Sequence, residues 1–204
     1  HFIFSSICKG KCSSSKTKAP AHFQTKWDIE NYIHQNNLSN VTTILRPASY
    51  FENFNTKIPG ITISDRFFPG IVQPNIPWQT IAVDDIGLWV SAAFRNPEKF
   101  LGTSLNLACE EMTGHQMANT LQAITNKKAV SYLLIPRPLL NFIEHDIAIM
   151  ANWIEKTGYG ANIKYLRNLA NELRIKPTPL SIWLKTIKTN SYIKDNNLIT
   201  TPHL

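Results

Sequence analysis

Glycine is scarce in this chain: 8 residues of 204, fewer than the 12 prolines. The eight are Gly10, Gly60, Gly70, Gly87, Gly102, Gly114, Gly158 and Gly160. No group of them has the spacing of a dinucleotide fingerprint or of a P-loop, so these residues contain no self-sufficient nucleotide cradle of either kind. Charge is also sparse, at 17% of residues, too low for a typical nucleic-acid module. The three cysteines, Cys8, Cys12 and Cys109, are an odd number, which argues against a disulfide framework and for a reducing compartment. No apolar stretch approaches the roughly 20 residues of a membrane span. The opening residues lack the longer apolar region of a signal peptide, so no membrane association and a cytoplasmic location are expected. The sequence begins at His1, not Met, directly inside the run Phe2-Ile3-Phe4. The expectation from that start is a cleaved product or a fragment.

What is present suits a folded domain. Hydrophobic residues make up 43% of the chain, enough for a sizeable core. The net charge of +7 comes from scattered lysines and arginines, with one denser stretch at Lys9, Lys11, Lys16 and Lys18. That stretch reads as a solvated loop. Its alternative is a phosphate or nucleic-acid contact, and nucleic acid is not the expected partner. Cys8-x-x-x-Cys12 has no nearby His or Cys pair to complete a metal site, so free loop thiols and no metal are expected.

Phe2 to Ile7 reads as a buried strand, and Ala21 to Asn36 as a helix with His22, Lys26, Ile29 and Ile33 on one face. Val41 to Leu45 is β-branched and stops at Arg46-Pro47. Strand, helix and strand in this order form a βαβ unit of a parallel sheet. Ser49 to Asn53 suggests a short helix. Residues 55–79, with Pro59, Pro69, Pro74 and Pro77, suggest irregular chain with one hairpin. Thr80 to Val83 reads as a strand, and Asp85 as the N-cap of the next helix. Ser104 to Ala108 and Val130 to Ile135 read as strands, and Thr113-x-x-Gln116 as a capping box. Further helices are expected over 138–157, closed by Gly158, around Ile163 to Leu173, and after Thr178-Pro179. Residues 189–204 read as a polar tail.

Three places can carry chemistry. His22 and Lys26 are neighbours one helical turn apart, close to Ser5 and Ser6 at the carboxyl end of the first strand. Open α/β sheets bind ligands at such ends. Tyr50, Phe51 and Asn53 follow the second strand, where the rings can stack on a flat ligand and the amide can hydrogen-bond it. Asp84 and Asp85 read most simply as one exposed acid and one helix cap.

Together these segments resemble the NmrA-like family, atypical short-chain dehydrogenase/reductases with a Rossmann fold. The likeness runs in order through His1-Phe2-Ile3-Phe4-Ser5-Ser6, His22 to Glu30, Thr43-Ile44-Leu45-Arg46-Pro47 and Tyr50-Phe51-Glu52-Asn53. It continues through Ile81 to Gly87, Leu107-Ala108 with Met112-Thr113, Met150 to Trp153, and Gly158 to Ile163. The resemblance implies an α/β fold: a partial Rossmann-like parallel sheet over about 1–54 and 80–100, a mostly helical lobe over 101–188, and the tail over 189–204. It implies NADP as the dinucleotide and a regulatory protein as a partner. Lys26 resembles the lysine of the Tyr-x-x-x-Lys pair that bonds the nicotinamide ribose, with Ser5 beside it. Tyr50, Phe51, Glu52 and Asn53 resemble the segment lining the nicotinamide end.

Two departures from the family pattern matter. His22 stands where the catalytic tyrosine of true dehydrogenases stands, and an imidazole does not replace a phenol activated by a lysine ammonium. His22, or Ser6, would then have to serve as the acid of any reductase. The family's glycine-rich loop also precedes the segment that matches His1. The first strand is therefore expected to show an apolar edge, and the 204 residues to bind NADP weakly. The family contains NADP(H)-sensing regulators and NADPH-dependent quinone or isoflavone-type reductases, and the resemblance favours the former.

Overall fold

The computed structural model describes residues 1–10, 17–54, 63–64, 66–125 and 129–195. The βαβ unit opens the fold. Strand β1 (Phe2–Ser5) leads to helix α1 (Ala21–Gln35) and then to β2 (Thr42–Pro47). The two strands pair in parallel, Phe2 opposite Thr42 and Ser5 opposite Leu45. On the other side of β2 lies β6 (Ser104–Leu107), also parallel. The order β1-β2-β6 puts β1 at the edge of this sheet, where Phe2 is 68% exposed, as the sequence led us to expect.

The rest of the sheet structure is divided more finely than one parallel sheet. Strand β3 (Ser49–Tyr50) pairs in parallel with β5 (Trp78–Ile81), and β5 pairs antiparallel with β7 (Glu110–Met112). Strand β4 (Phe67–Gly70) pairs in parallel with β8 (Ser131–Leu134). Ser49 to Asn53 is thus not a helix from its start: two strand residues precede a single 3-10 turn, Phe51–Phe54. The proline-rich segment holds no hairpin among its described residues, because β4 and β5 join different sheets.

Helix α2 (Val83–Arg95) begins earlier than the acid pair suggests, with Ala82 in the cap position. Asp85 therefore sits inside the first turn. Helix α3 (Pro97–Phe100) follows, then α4 (Gly114–Thr125). The capping box before α4 is closed reciprocally: Thr113 N–H donates to Gln116 Oε1 at 2.8 Å, and Gln116 N–H to Thr113 Oγ1 at 3.2 Å. The expected helix over 138–157 is two helices, α5 (Arg137–Ile143) and α6 (His145–Lys156). They break at Glu144, whose backbone is extended at φ −158°. Gly158 takes the left-handed φ of +67° after α6 and donates its N–H to Ile154 O, which satisfies an end carbonyl.

Helix α7 (Ile163–Glu172) is capped by Asn162, which accepts from the Tyr165 N–H. Helix α8 runs Leu180–Asp195, so the expected tail is helical through Asp195, and 196–204 lie outside the described residues. Thr178 does not cap α8. Pro179 occupies that place, and its carbonyl accepts from the Ile182 and Trp183 N–H groups.

Aromatic packing ties α1 to α6. Phe23 of α1 meets Trp153 of α6 edge to face at 5.2 Å between ring centres, and Trp153 meets Tyr159 at 5.6 Å. All three are buried. A buried amide clamp adds specificity: Gln79 donates to Ala161 O and accepts from Ala161 N–H, each at 2.8 Å. The inward stripe of α1 is Phe23, Glu30 and Ile33, while Ile29 is 44% exposed. The expected apolar face is thus rotated, and it carries a carboxylate. No helix among the described residues is long and apolar enough to cross a membrane.

Candidate functional site

The carboxyl end of β1 gathers two of the expected residues directly. Lys26 Nζ donates to the Ser5 carbonyl at 3.2 Å and lies 5.4 Å from the centre of the Phe4 ring. Both Ser5 and Lys26 are exposed. An ammonium has three donors, so this anchorage fixes the lysine and leaves donors for a ligand hydroxyl. One turn earlier, His22 packs edge-on against Phe23 at 4.8 Å. Its Nδ1 lies 3.6 Å from Asp146 Oδ2 of α6, a partner that no local pattern in the sequence reveals.

Ser6 turns inward instead. It is buried, and its N–H donates to Leu45 O at 2.7 Å. Among the described residues its hydroxyl closes no well-formed hydrogen bond, although it lies near enough to Glu30 to favour the ionised carboxylate. Glu30 is fully buried and receives Arg46 in a side-on pair, Nε to Oε1 at 2.8 Å and Nη2 to Oε2 at 2.6 Å. Lys9 adds a contact to Oε2 at 2.7 Å. Burial pushes this carboxyl up, but Arg46, Lys9 and Ser6 outweigh it and hold the group below its ordinary value. One lysine of the basic stretch is therefore engaged internally. Lys11 and Lys16, like Cys12, lie outside the described residues. Cys8 is a free thiol in the loop after β1, but not a solvated one: it is fully buried, and its Sγ–H donates to Arg46 O at 2.9 Å.

A cavity of ≈ 540 Å³ opens beside His22. Its size suits a small ligand. Of the expected site residues it is lined by His22, Glu52 and Asn53. Glu52 has both oxygens occupied, Oε2 by the Val83 N–H at 3.1 Å and Oε1 by the Trp183 indole at 3.0 Å. Phe51 is fully buried against Trp183 at 5.6 Å, so it packs the core and is not free to stack on a ligand. Tyr50 is half-buried, and burial raises its phenol pKa. Asp85 likewise serves structure: it is buried, and its carboxylate accepts the Thr178 N–H and hydroxyl. The other walls escaped sequence reasoning. They come from Pro69, Gly70 and Ile71, from Trp78, and from α5 and α6 through Leu140, Ile143, Ile147 and Met150.

Residues 1–184 match the sequence profile of the NmrA-like family. The chain belongs to the NmrA-like family. An NmrA-like family domain-containing protein of Dictyostelium discoideum is 28% identical over 199 residues, covering 92% of this chain. The chain spans 64% of that relative's length. NmrA, a negative transcriptional regulator solved in complex with NADP, superposes with a TM-score of 0.64 at 18% identity, over 90% of this chain and 63% of its own. An NADPH-dependent quinone oxidoreductase of Escherichia coli, complexed with NADPH, gives 0.61 at 15%, over 91% and 64%. A UDP-glucuronic acid 4-epimerase of Bacillus cereus, in complex with UDP-glucuronic acid and NAD, gives 0.55 at 17%, over 90% and 59%. At these identities the structural likeness shows a shared α/β, Rossmann-like fold.

Proposed function

We propose that this NmrA-like chain supplies the nicotinamide-ribose side of an NADP(H) site and acts as a dinucleotide-responsive regulator. The observation that carries the reading is Lys26, anchored on the Ser5 carbonyl at a strand's carboxyl end with donors to spare. A bound dinucleotide would bring a nicotinamide that accepts or donates hydride. Lys26 would hold the nicotinamide ribose through its hydroxyls, Ser5 would add a second polar contact, and Asn53 would offer its amide at the cavity rim. These donor types fit a neutral, hydroxyl-rich group.

His22 argues for sensing over turnover. A dehydrogenase needs an acid matched to a developing alkoxide. Here that place holds an exposed imidazole beside the Asp146 carboxylate, with no phenol. A regulatory protein partner would read the bound state of the dinucleotide. The competing reading, an NADPH-dependent reductase, is favoured by the cavity beside His22, which has room for a substrate. NADPH oxidation over a panel of quinones and aldehydes separates the two. The regulator reading expects no turnover above the protein-free rate. Turnover lost in both His22→Ala and Lys26→Ala would establish the reductase.

A further inference from the structure

The sheet β1-β2-β6 has a second edge, at β6, and that edge meets a groove. Ile44 N–H donates to Thr103 O at 2.9 Å, and Ala48 N–H to Leu107 O at 2.8 Å. In a parallel ladder the N–H and C=O of one residue point to the same side, and successive residues point to opposite sides. Thr103, Leu105 and Leu107 therefore face β2, while Ser104 and Asn106 face outward. No third strand takes them, because β6 ends the sheet. Asn106 lies against the chain at Gly160, and its Nδ2 donates to Gly160 O at 3.4 Å. Ser104 is exposed, and neither its main-chain N–H nor its C=O closes a hydrogen bond among the described residues. An unpaired strand edge is a template for another extended chain. A cavity of ≈ 420 Å³ lies between this end of β6 and α7. Its apolar lining is Phe100, Leu105 and Leu169, and from α7 the exposed Asn168 brings a carboxamide that can both donate and accept. Lys99 and Glu172 also line it and are paired with each other. With Glu172 spent on Lys99, the charge left on α7 is positive, at the exposed Lys164 and Arg167.

We infer that this groove takes an extended segment of a partner protein, which adds to β6 as a strand. Its main chain pairs with the Ser104 N–H and C=O, one apolar side chain enters between Phe100, Leu105 and Leu169, and acidic residues flank that side chain. A donor and an acceptor on one residue, aimed the same way, match a neighbouring main chain, which offers the same two groups at ladder spacing. The acidic flanks complement the positive charge left on α7. A monosaccharide is the competing occupant, but it brings hydroxyls and no apolar side chain to fill the space between the three lining residues. The groove opens at the amino end of β6, whereas Lys26 is anchored at the carboxyl end of β1, and the strands run parallel through β2. Binding here needs no dinucleotide and stands apart from the NADP(H) reading.

The test is an NMR titration of the isotope-labelled 204-residue chain, without dinucleotide, with the blocked peptide acetyl-Glu-Thr-Leu-Thr-Glu-amide. The Ser104 amide resonance moves downfield and saturates. The same peptide N-methylated at its three central residues keeps the side chains and loses the main-chain donors, and it binds roughly 10-fold more weakly. Replacing both flanking Glu residues of the peptide by Lys weakens binding roughly 3-fold. Ser104→Pro removes the outward N–H without touching a bond to β2, and it weakens binding of the first peptide roughly 5-fold. The peptide comparisons use the unmodified chain, so they decide the matter even if the variant does not fold. No saturable shift at Ser104, equal affinity for the N-methylated peptide, preference for the Lys-flanked peptide, or a Ser104 shift produced by methyl β-glucoside and not by the peptide each overturns the inference.

Discussion

The carboxylate of Asp85 binds both donors of Thr178, the main-chain N–H at 2.7 Å and the hydroxyl at 2.8 Å, across 93 positions of sequence. This pair ties the first turn of α2 to the entry of α8. Burial, with a smaller push from Asp84, raises the Asp85 carboxyl above its ordinary range despite the two Thr178 bonds. A raised folded-state value means that the group's contribution to stability is fully present below the unfolded pKa of about 4 and is lost as pH rises through the folded value. Asn can accept from the Thr178 N–H and donate to its hydroxyl without carrying a charge. Asp85→Asn is therefore expected to lie within about 1 kcal/mol of the parent at neutral pH, and Asp85→Ala to lose about 1 to 3 kcal/mol through the orphaned N–H. Urea unfolding at neutral pH checks both values. A larger loss for Asn than for Ala would contradict the account.

Glu30 has the opposite sign. Its carboxyl is held below its ordinary value by Arg46, Lys9 and Ser6 against the cost of burial. The stability it contributes is present above the unfolded pKa of about 4.3 and is lost as pH falls through the folded value. Glu30→Gln leaves Arg46 facing a neutral amide and is expected to cost about 3 kcal/mol at neutral pH. The difference should shrink on acidification below that range. Unfolding curves of parent and variant across acid pH test this, and a difference that stays constant would refute it.

Trp153 is the hub between Phe23 of α1 and Tyr159. Truncation to Ala removes a fully packed indole and is expected to cost about 3 to 5 kcal/mol. Thermal unfolding measures it. A loss below about 1 kcal/mol would mean that α1 and α6 are not joined through this side chain.

Cys8 makes a chemical prediction. Burial pushes its thiol pKa up to about 12, so almost no thiolate exists at neutral pH. Iodoacetamide should leave Cys8 unmodified in the folded chain and label it in urea, with peptide mass spectrometry as the readout. Rapid labelling of the folded chain would place the thiol at the surface.

The sequence carried the βαβ unit well, because each part is a local signal: an apolar run at Phe2–Phe4, helical spacing after Ala21, and β-branched residues before Arg46-Pro47. The capping box at Thr113 and Gln116 and the Gly158 stop are local too, and both hold. The break at Glu144 was not legible, because the apolar spacing runs from Leu139 to Ile154 without a gap while the backbone turns at one residue. The buried place of Glu30 was not legible for a related reason. A carboxylate at a core position looks like a surface residue until Arg46 and Lys9 are known to meet it. The cavity was the least legible feature. Its walls come from segments near 22, 49–54, 69–71, 78 and 135–150, and only the tertiary fold brings them together.

On the proposed reading, the chain holds the nicotinamide end of the dinucleotide. Saturation-transfer NMR of NADP with the 204-residue chain reads that directly, and it works for weak binding. The account predicts the strongest transfer to the nicotinamide and its ribose, weak transfer to the adenine, and loss of the nicotinamide-ribose signal in Lys26→Ala. Strongest transfer to the adenine, or a nicotinamide-ribose signal unchanged in Lys26→Ala, would contradict it.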